Sequence, residues 1–259
     1  MARSRVDSRV IAPTVTAVRS SYYQPGPSRA EKVERLFNRI APRYDRINDL
    51  QSFGFHRLWK RRLVSLAAAR SGDQALDLCC GTGDITFALA QHGADVVGGD
   101  FSQAMLDVAA GRLREQPAVP GSGTVTFQRL DALQLPFGSN RFDRVTIAYG
   151  LRNLSDFPGG IREIARVLRP GGRLCILDFG KPDNAVWRAC YFQYLRFCVP
   201  VLGRMFAGDR EAYSYILESL RAYPGQRGVD QLLRDGGFRE CRIHNFFGGV
   251  MSINEGRRD

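Results

Sequence analysis

From residue 73 onward, short apolar runs alternate with segments whose apolar residues recur every three or four positions. The runs Ala75 to Cys79, Asp95 to Gly99, Thr124 to Leu130, Phe142 to Ala148 and Arg173 to Asp178 have strand length. Between them, Ile85 to Gln91 and Ser102 to Arg114 read as helices, the second capped by Ser102, and Ile161, Ile164, Ala165 and Leu168 outline one face of another. Two further strand-like segments, Arg239 to Asn245 and Gly248 to Asn254, close the chain and bring the strands to seven. Alternating strand and helix predicts an α/β fold with a mostly parallel sheet covered on both faces. Ahead of it, Val33, Leu36, Phe37 and Ile40 follow helical spacing up to a break at Pro42, and a second helix is expected over Phe55 to Ala69. After Pro182 comes an aromatic helical region with Trp187, Tyr191, Tyr194 and Phe197, then Tyr213, Tyr215, Ile216 and Leu220. The expected organisation is therefore a tail over residues 1–28 and one domain over 29–259, with a helical cap at 29–70 and a helical insertion at 183–226.

With 259 residues, 44% hydrophobic and 24% charged, the chain has ordinary globular values, which excludes wholesale disorder and a polytopic membrane protein. The net charge of +11 is unevenly placed. Residues 1–70 hold 15 Arg and Lys against 5 Asp and Glu, so the rest is almost neutral. A basic front suits anionic lipid, an acidic partner or nucleic acid, and the neutral remainder argues against a nucleic-acid-binding body. The tail, with four Arg and one acid, Asp7, reads as a flexible extension, with an organellar transit segment as the alternative. Six cysteines without a CxxC pair suggest neither a metal site nor a disulfide framework, and are read as core thiols in a reducing, cytoplasmic compartment.

The sharpest local signal is Leu76-Asp77-Leu78-Cys79-Cys80-Gly81-Thr82-Gly83-Asp84, a strand running into a glycine turn and then a helix. Glycines at the carboxyl end of a first parallel strand let a ligand approach the backbone. The spacing is neither the dinucleotide GxGxxG, since Thr86 stands three positions after Gly83, nor a phosphate-binding Gly-Lys-Ser/Thr loop. Gly98-Gly99-Asp100-Phe101-Ser102 places an acid at the end of the second strand, where a carboxylate can accept from both hydroxyls of a ribose. Asp131-Ala132 places another acid after the third strand. Arg166 to Gly172 is read as a structural turn into the fifth strand.

The glycine segment resembles the first motif of class I S-adenosylmethionine-dependent methyltransferases. A narrower resemblance, over roughly residues 32 to 254, is to the ubiquinone and menaquinone biosynthesis C-methyltransferases. It is carried by Phe37 to Asp45, Ser52-Phe53-Gly54-Phe55-His56-Arg57-Leu58-Trp59-Lys60, Tyr149-Gly150-Leu151-Arg152-Asn153, Leu177 to Pro182 and Ala222-Tyr223-Pro224-Gly225-Gln226. The resemblance implies a Rossmann-like fold, S-adenosylmethionine as cofactor and no metal. It implies a lipophilic quinol substrate, a peripheral membrane contact and no nucleic acid, and it allows a homodimer. The implied cofactor residues are Asp77, Gly81, Thr82, Gly83, Asp100, Phe101, Asp131 and Ala132. Arg152 and Tyr44 are the implied catalytic pair, polarising a quinol hydroxyl, Arg152 through a water because a guanidinium is too basic to act directly.

The expected reaction is C-methylation of a demethylated isoprenoid naphthoquinol. A polyprenyl methoxy-benzoquinol acceptor and a non-catalytic scaffold of a quinone-synthesis complex are the alternatives. A nucleic-acid methyltransferase is disfavoured because Ala148-Tyr149-Gly150 stands where an Asn-Pro-Pro-Tyr type motif would be needed. The aromatic segment Trp187 to Phe206 is read either as plain core or as a tunnel wall that lies on lipid, with Arg188, Arg196 and Arg204 at the headgroups.

Overall fold

The computed structural model describes residues 27–117, 119–206 and 217–259. The expectations for the tail over residues 1–26, and for Tyr213, Tyr215 and Ile216, lie outside the described residues. Three helices lead: α1 (Pro27–Ile40), α2 (Tyr44–Ser52) and α3 (Phe55–Ala67), with a single 3-10 turn at Ala41–Arg43 where Pro42 interrupts the ladder. Phe53 and Gly54, with φ of 50° and 78°, break α2 from α3. The body then runs β1 (Gln74–Leu78), α4 (Asp84–Gln91), β2 (Asp95–Asp100), α5 (Gln103–Glu115), β3 (Val125–Arg129) and β4 (Phe142–Ala148). It continues with α6 (Phe157–Val167), β5 (Leu168–Phe179), α7 (Ala185–Phe206), α8 (Gly225–Asp235), β6 (Phe238–Phe246) and β7 (Met251–Arg258).

The seven strands pair in the order β3-β2-β1-β4-β5-β7-β6, with β7 antiparallel to both neighbours and the other pairings parallel. This is the expected α/β arrangement. The strand order reverses between β1 and β4, and such a reversal opens a crevice beyond the carboxyl ends of the strands. Apolar residues cover both faces. On one, Leu78, Ile147, Leu151, Ile164, Leu174 and Leu233 form a cluster that includes Tyr191 and Leu195 of α7. On the other, Leu63, Val64 and Ala67 of α3 pack with Ile85, Leu89, Cys175 and Ile253.

Several boundaries differ from the sequence pattern for local reasons. Strand β1 ends at Leu78, one residue early, because Cys79 adopts φ of 55°. Strand β5 already pairs at Leu168 with Phe142, then shifts register before Arg173 pairs with Arg144, so Arg169 to Gly172 bulge out of the ladder around Gly171 at φ of 75°. The last strand starts at Met251, three residues late, because Gly248 and Gly249 both take positive φ in a 3-10 turn. Cys190 is exposed, so the core-thiol reading fails there, whereas Cys175 is fully buried, and burial pushes its thiol up to about 12.

Glycines 98 and 99 of β2 are needed for close packing. A Cβ on Gly98 would lie 2.7 Å from the Phe127 ring and 2.9 Å from Thr86 Oγ1. Gly98→Ala is therefore expected to cost about 1–3 kcal/mol by overpacking. Urea denaturation measures this, and combining it with Phe127→Leu should recover part of the loss.

Candidate active site

A cleft opens at the carboxyl edge of β1, β2 and β4 and is roofed by the N-terminal helices. Its walls include Val33, Glu34 and Phe37 of α1, Tyr44 of α2, Cys79 and Gly81 of the glycine turn, and Asp100, Phe101 and Ser102 after β2. Asp131 and Ala132 after β3, and Tyr149, Gly150 and Leu154 after β4, complete them. Of the ten residues expected to form the site, Tyr44, Gly81, Asp100, Phe101, Asp131 and Ala132 meet there. Asp77, Thr82, Gly83 and Arg152 are not part of its lining.

Asp100 sits where β2 ends and α5 begins. Its Oδ2 accepts the Gly81 amide at 2.8 Å and its Oδ1 accepts the Ser102 amide at 2.9 Å. Burial raises its pKa, although these amides and that of Phe101 favour the charged form. A carboxylate has about four acceptor directions, so each oxygen keeps capacity for a hydroxyl in the cleft. Gly81, at φ of 54°, leaves the turn without a side chain, and only the Tyr44 ring, 3.7 Å away, lies near its missing Cβ. Phe101 stands against the Arg129 guanidinium at 5.4 Å. Asp131 is exposed, and its Oδ1 accepts the Leu133 amide at 2.9 Å, which shapes the turn after β3.

Asp77 lies behind the glycine turn, buried, with its carboxylate oxygens accepting Thr86 Oγ1 at 2.7 Å and Thr146 Oγ1 at 2.8 Å. It borders a second small cavity with Tyr44, Lys60, Cys80, Thr82 and Tyr149. Burial raises its pKa to about 6, more than the two hydroxyls lower it. Asp77 thus ties β1 to β4 and α4, and holds the turn from behind.

Thr82 is buried and turns away from the main cleft, toward α2. Its hydroxyl donates to Asp45 Oδ1 at 2.9 Å, and its carbonyl accepts from Arg112 Nη1 at 2.8 Å. Gly83, at φ of 90°, serves the helix start, since a Cβ would meet the Phe87 ring at 2.9 Å. Arg112 and Lys60 also grip Asp84, each at 2.8 Å, and they outweigh its burial and hold its carboxyl at about 2. Asp45, Lys60, Asp84 and Arg112 therefore clasp α2 and α3 to the glycine turn. Their pairing is not legible in the sequence because they are scattered over 68 positions, and the motifs that hold Asp84 and Lys60 do not show that the two meet.

Arg152 is placed differently from the expectation. It is buried, and its Nη1 donates to Asp178 Oδ1 at 2.7 Å and to the Tyr149 carbonyl at 2.6 Å, with the guanidinium 4.9 Å from the centre of the Phe179 ring. Asp178 also accepts the backbone amides of Arg152 and Phe179. The ion pair therefore fixes the turn after β4, in which Tyr149 is held at φ of 60°. The Tyr149 hydroxyl is buried with no hydrogen-bond partner among the described residues, and burial pushes its pKa well above 10. Tyr44 is half-buried; burial raises its pKa, opposed by the charges of Lys60 and Arg152. No described residue of the aromatic helix α7 lines the cleft, so the tunnel-wall reading does not hold for it there.

The fold and cleft define the class: an S-adenosylmethionine-dependent methyltransferase. Solved structures with the same architecture include magnesium protoporphyrin IX methyltransferase from Synechocystis PCC 6803 with S-adenosylhomocysteine bound. It is 22% identical, with a TM-score of 0.63, over 88% of this chain and 99% of that one. A methyltransferase bound to the Trm112 activator of Haloferax volcanii gives a TM-score of 0.63 at 16% identity, over 85% and 96%. The sequence profile of the ubiE/COQ5 methyltransferase family matches residues 27–258, and the chain belongs to that family. It is 41% identical over 235 residues, 90% of this chain and 91% of that protein, to the ubiquinone/menaquinone biosynthesis C-methyltransferase UbiE of Pseudomonas fluorescens. The UbiE protein of Teredinibacter turnerae is 37% identical over 233 residues, 89% and 92% of the two chains.

Two outcomes test this description. Because the folded-state pKa of Asp77 is raised from 3.8 to about 6, the folded protein binds its proton more tightly than the unfolded chain. That contribution is present below pH 4 and is lost as pH rises through 6, about 3 kcal/mol in all. Asp77→Asn should flatten this part of the stability profile, measured by denaturant melts from pH 4 to 7. Arg152→Ala leaves Asp178 charged and unpaired in the interior and should cost about 3–5 kcal/mol, read by the same melts.

Proposed function

We propose that this protein transfers the methyl group of S-adenosylmethionine to a ring carbon of a demethylated isoprenoid naphthoquinol in quinone biosynthesis. The observation that carries the reading is that Tyr44, brought by the cap, and Asp100, brought by β2, meet around the side-chain-free Gly81 in one cleft. The names of the UbiE relatives support C-methylation in ubiquinone or menaquinone biosynthesis. The apolar walls Val33, Phe37, Leu133 and Leu154 support the naphthoquinol, a fused ring without methoxy groups.

When bound, S-adenosylmethionine supplies an electrophilic methyl on a positively charged sulfur. Asp100 would accept hydrogen bonds from the ribose hydroxyls, Phe101 and Ala132 would hold the adenine, and Asp131 would accept a hydrogen bond from its amino group. The Gly81 turn lets the amino acid portion approach the backbone. Methylation forms a carbon–carbon bond, breaks the sulfur–methyl bond and releases a ring proton, so the quinol ring must carry extra electron density. Tyr44 is a neutral phenol, its pKa raised further by burial, and it donates a hydrogen bond to the quinol oxygen as negative charge grows there. Arg152 is a positioning residue: it holds the Tyr149 carbonyl and thereby the acceptor side of the cleft, and its charge favours the phenolate form across the buried turn.

Asp100→Ala should weaken binding of S-adenosylhomocysteine about ten- to hundredfold, the scale of one or two charge-assisted hydrogen bonds, measured by calorimetry. Tyr44→Phe should lower kcat about a hundredfold with that affinity unchanged, as expected for a donor used in the transition state. The acceptor is decided by incubating the purified protein with labelled donor and paired demethylnaphthoquinol and demethylated methoxy-benzoquinol. Methylation of the naphthoquinol ring alone supports the proposal; preference for the benzoquinol overturns the choice of ring.

A further inference from the structure

Beside α3 the protein presents apolar rings to solvent in a backbone that resists them. Phe53 is 76% exposed and Phe247 is 52% exposed, and both adopt the left-handed region, with φ of 50° and 49°. Bulky side chains there are disfavoured by sterics, and Gly or Asn is the usual occupant. The cleft does not account for these rings, since neither residue lines it, and the contacts that Phe247 makes with Phe55 and Trp59 leave half of it exposed. Strain kept at exposed aromatic positions points to something that the rings touch.

The surroundings say what. The turn carrying Phe53 is fixed: the Gly54 amide donates to the Asp49 carbonyl at 3.0 Å, and Ser52 Oγ lies 2.8 Å from His56 Nδ1 and donates to the Asn48 carbonyl at 2.7 Å. Next to it, the Phe55 ring packs edge-on against Phe247 at 5.1 Å, and Trp59 packs against Phe246 and Phe247 at 6.4 Å and 6.0 Å. Trp187 at the start of α7 joins this group by donating Nε1–H to the Phe247 carbonyl at 2.9 Å, beside the exposed Val186. Leu58, 54% exposed, shares a face of α3 with Arg61 and Arg62, which are exposed one turn on. Helix α3 carries Arg57, Lys60, Arg61 and Arg62 and no acid. Exposed rings at a helix start, tryptophans beside them and arginines one turn behind match an interface with hydrocarbon at one level and anionic headgroups above.

We propose that the α2–α3 turn and the β6–β7 connection form a docking face for an anionic phospholipid bilayer, with Phe53 and Phe247 inserted and Arg61 and Arg62 at the headgroups. This moves the membrane contact from the body of α7 to the cap. It rests on the proposed acceptor being lipid-borne. The same apolar cluster continues inward through Trp59 and Phe179 to Tyr149 at the cleft, so the docked face adjoins the acceptor side.

Flotation of the full chain with phosphatidylcholine vesicles, with and without phosphatidylglycerol, tests the face. The expected result is binding to the anionic vesicles that falls at least tenfold in Phe53→Asn/Phe247→Asn and again in Arg61→Gln/Arg62→Gln. Asn tolerates both backbone conformations, so the fold and the S-adenosylhomocysteine affinity should be retained, with the melting temperature lowered only by loss of the Phe247 ring contacts with Phe55 and Trp59. Leu58→Ser/Val186→Ser provides a second apolar variant that leaves the strained positions intact. The basic tail is present in every variant, so differences report the face alone. Full vesicle binding by both apolar variants, or no binding by the unsubstituted protein, overturns the proposal. So does a concentration-dependent dimer that sedimentation shows is lost in Phe53→Asn/Phe247→Asn, which would assign the face to a second copy of the chain. Turnover of a short-chain, water-soluble acceptor without vesicles tests the reaction separately, and these variants should retain it.

Discussion

The Asp100 carboxylate is the contact on which the cleft depends. By accepting the Gly81 and Ser102 amides it joins the end of β2 to the glycine turn after β1 and to the first turn of α5. Three elements that approach from different directions are thereby fixed relative to one another by one side chain. Asp100 also lines the cleft, so the residue that fixes the scaffold is the one that a ribose would meet. Burial makes that charge costly in the absence of partners, and hydroxyls arriving from a ligand would relieve the cost.

Behind this contact lies a second layer with the same logic. Asp77 holds Thr86 and Thr146, and Arg152 holds Asp178 and the Tyr149 carbonyl, so the glycine turn and the turn after β4 are each supported by a buried charge. Both turns contain non-glycine residues in the left-handed region, Cys79 and Tyr149. Such conformations persist only where their surroundings over-determine them, and the two buried networks supply that support.

How much of this could be read in the sequence varies by residue. The strands, their alternation with helices, and the placing of Gly81, Asp100, Phe101 and Asp131 at strand ends followed from periodicity and spacing, because those positions obey local rules. Thr82 and Asp77 did not, because a motif gives the residue types in a turn and not the direction in which each side chain leaves it. Asp77 faces backwards because two threonines, one on α4 and one on β4, wait there to donate to it. Arg152 carries the same lesson: its partner Asp178 is 26 positions away on another strand, and only the sheet register brings them together. The starts of β5 and β7 were misplaced where a bulge or paired left-handed glycines override the apolar pattern.

The roof over the cleft is held by buried apolar residues, Val33, Leu36 and Ala41 with Leu63 and Val64 of α3, and along its edge by polar contacts. Glu34 meets Arg129, Asn38 accepts from Ser102, and Asp45 accepts from Thr82, with at least one partner of each contact reachable by water. The apolar part must be wetted before the helices can lift, whereas each polar fastening can be traded for a hydrogen bond to water. Dissolved ions screen the Glu34–Arg129 pair and leave the buried hydrocarbon untouched, so salt loosens the edge of the roof before its seat.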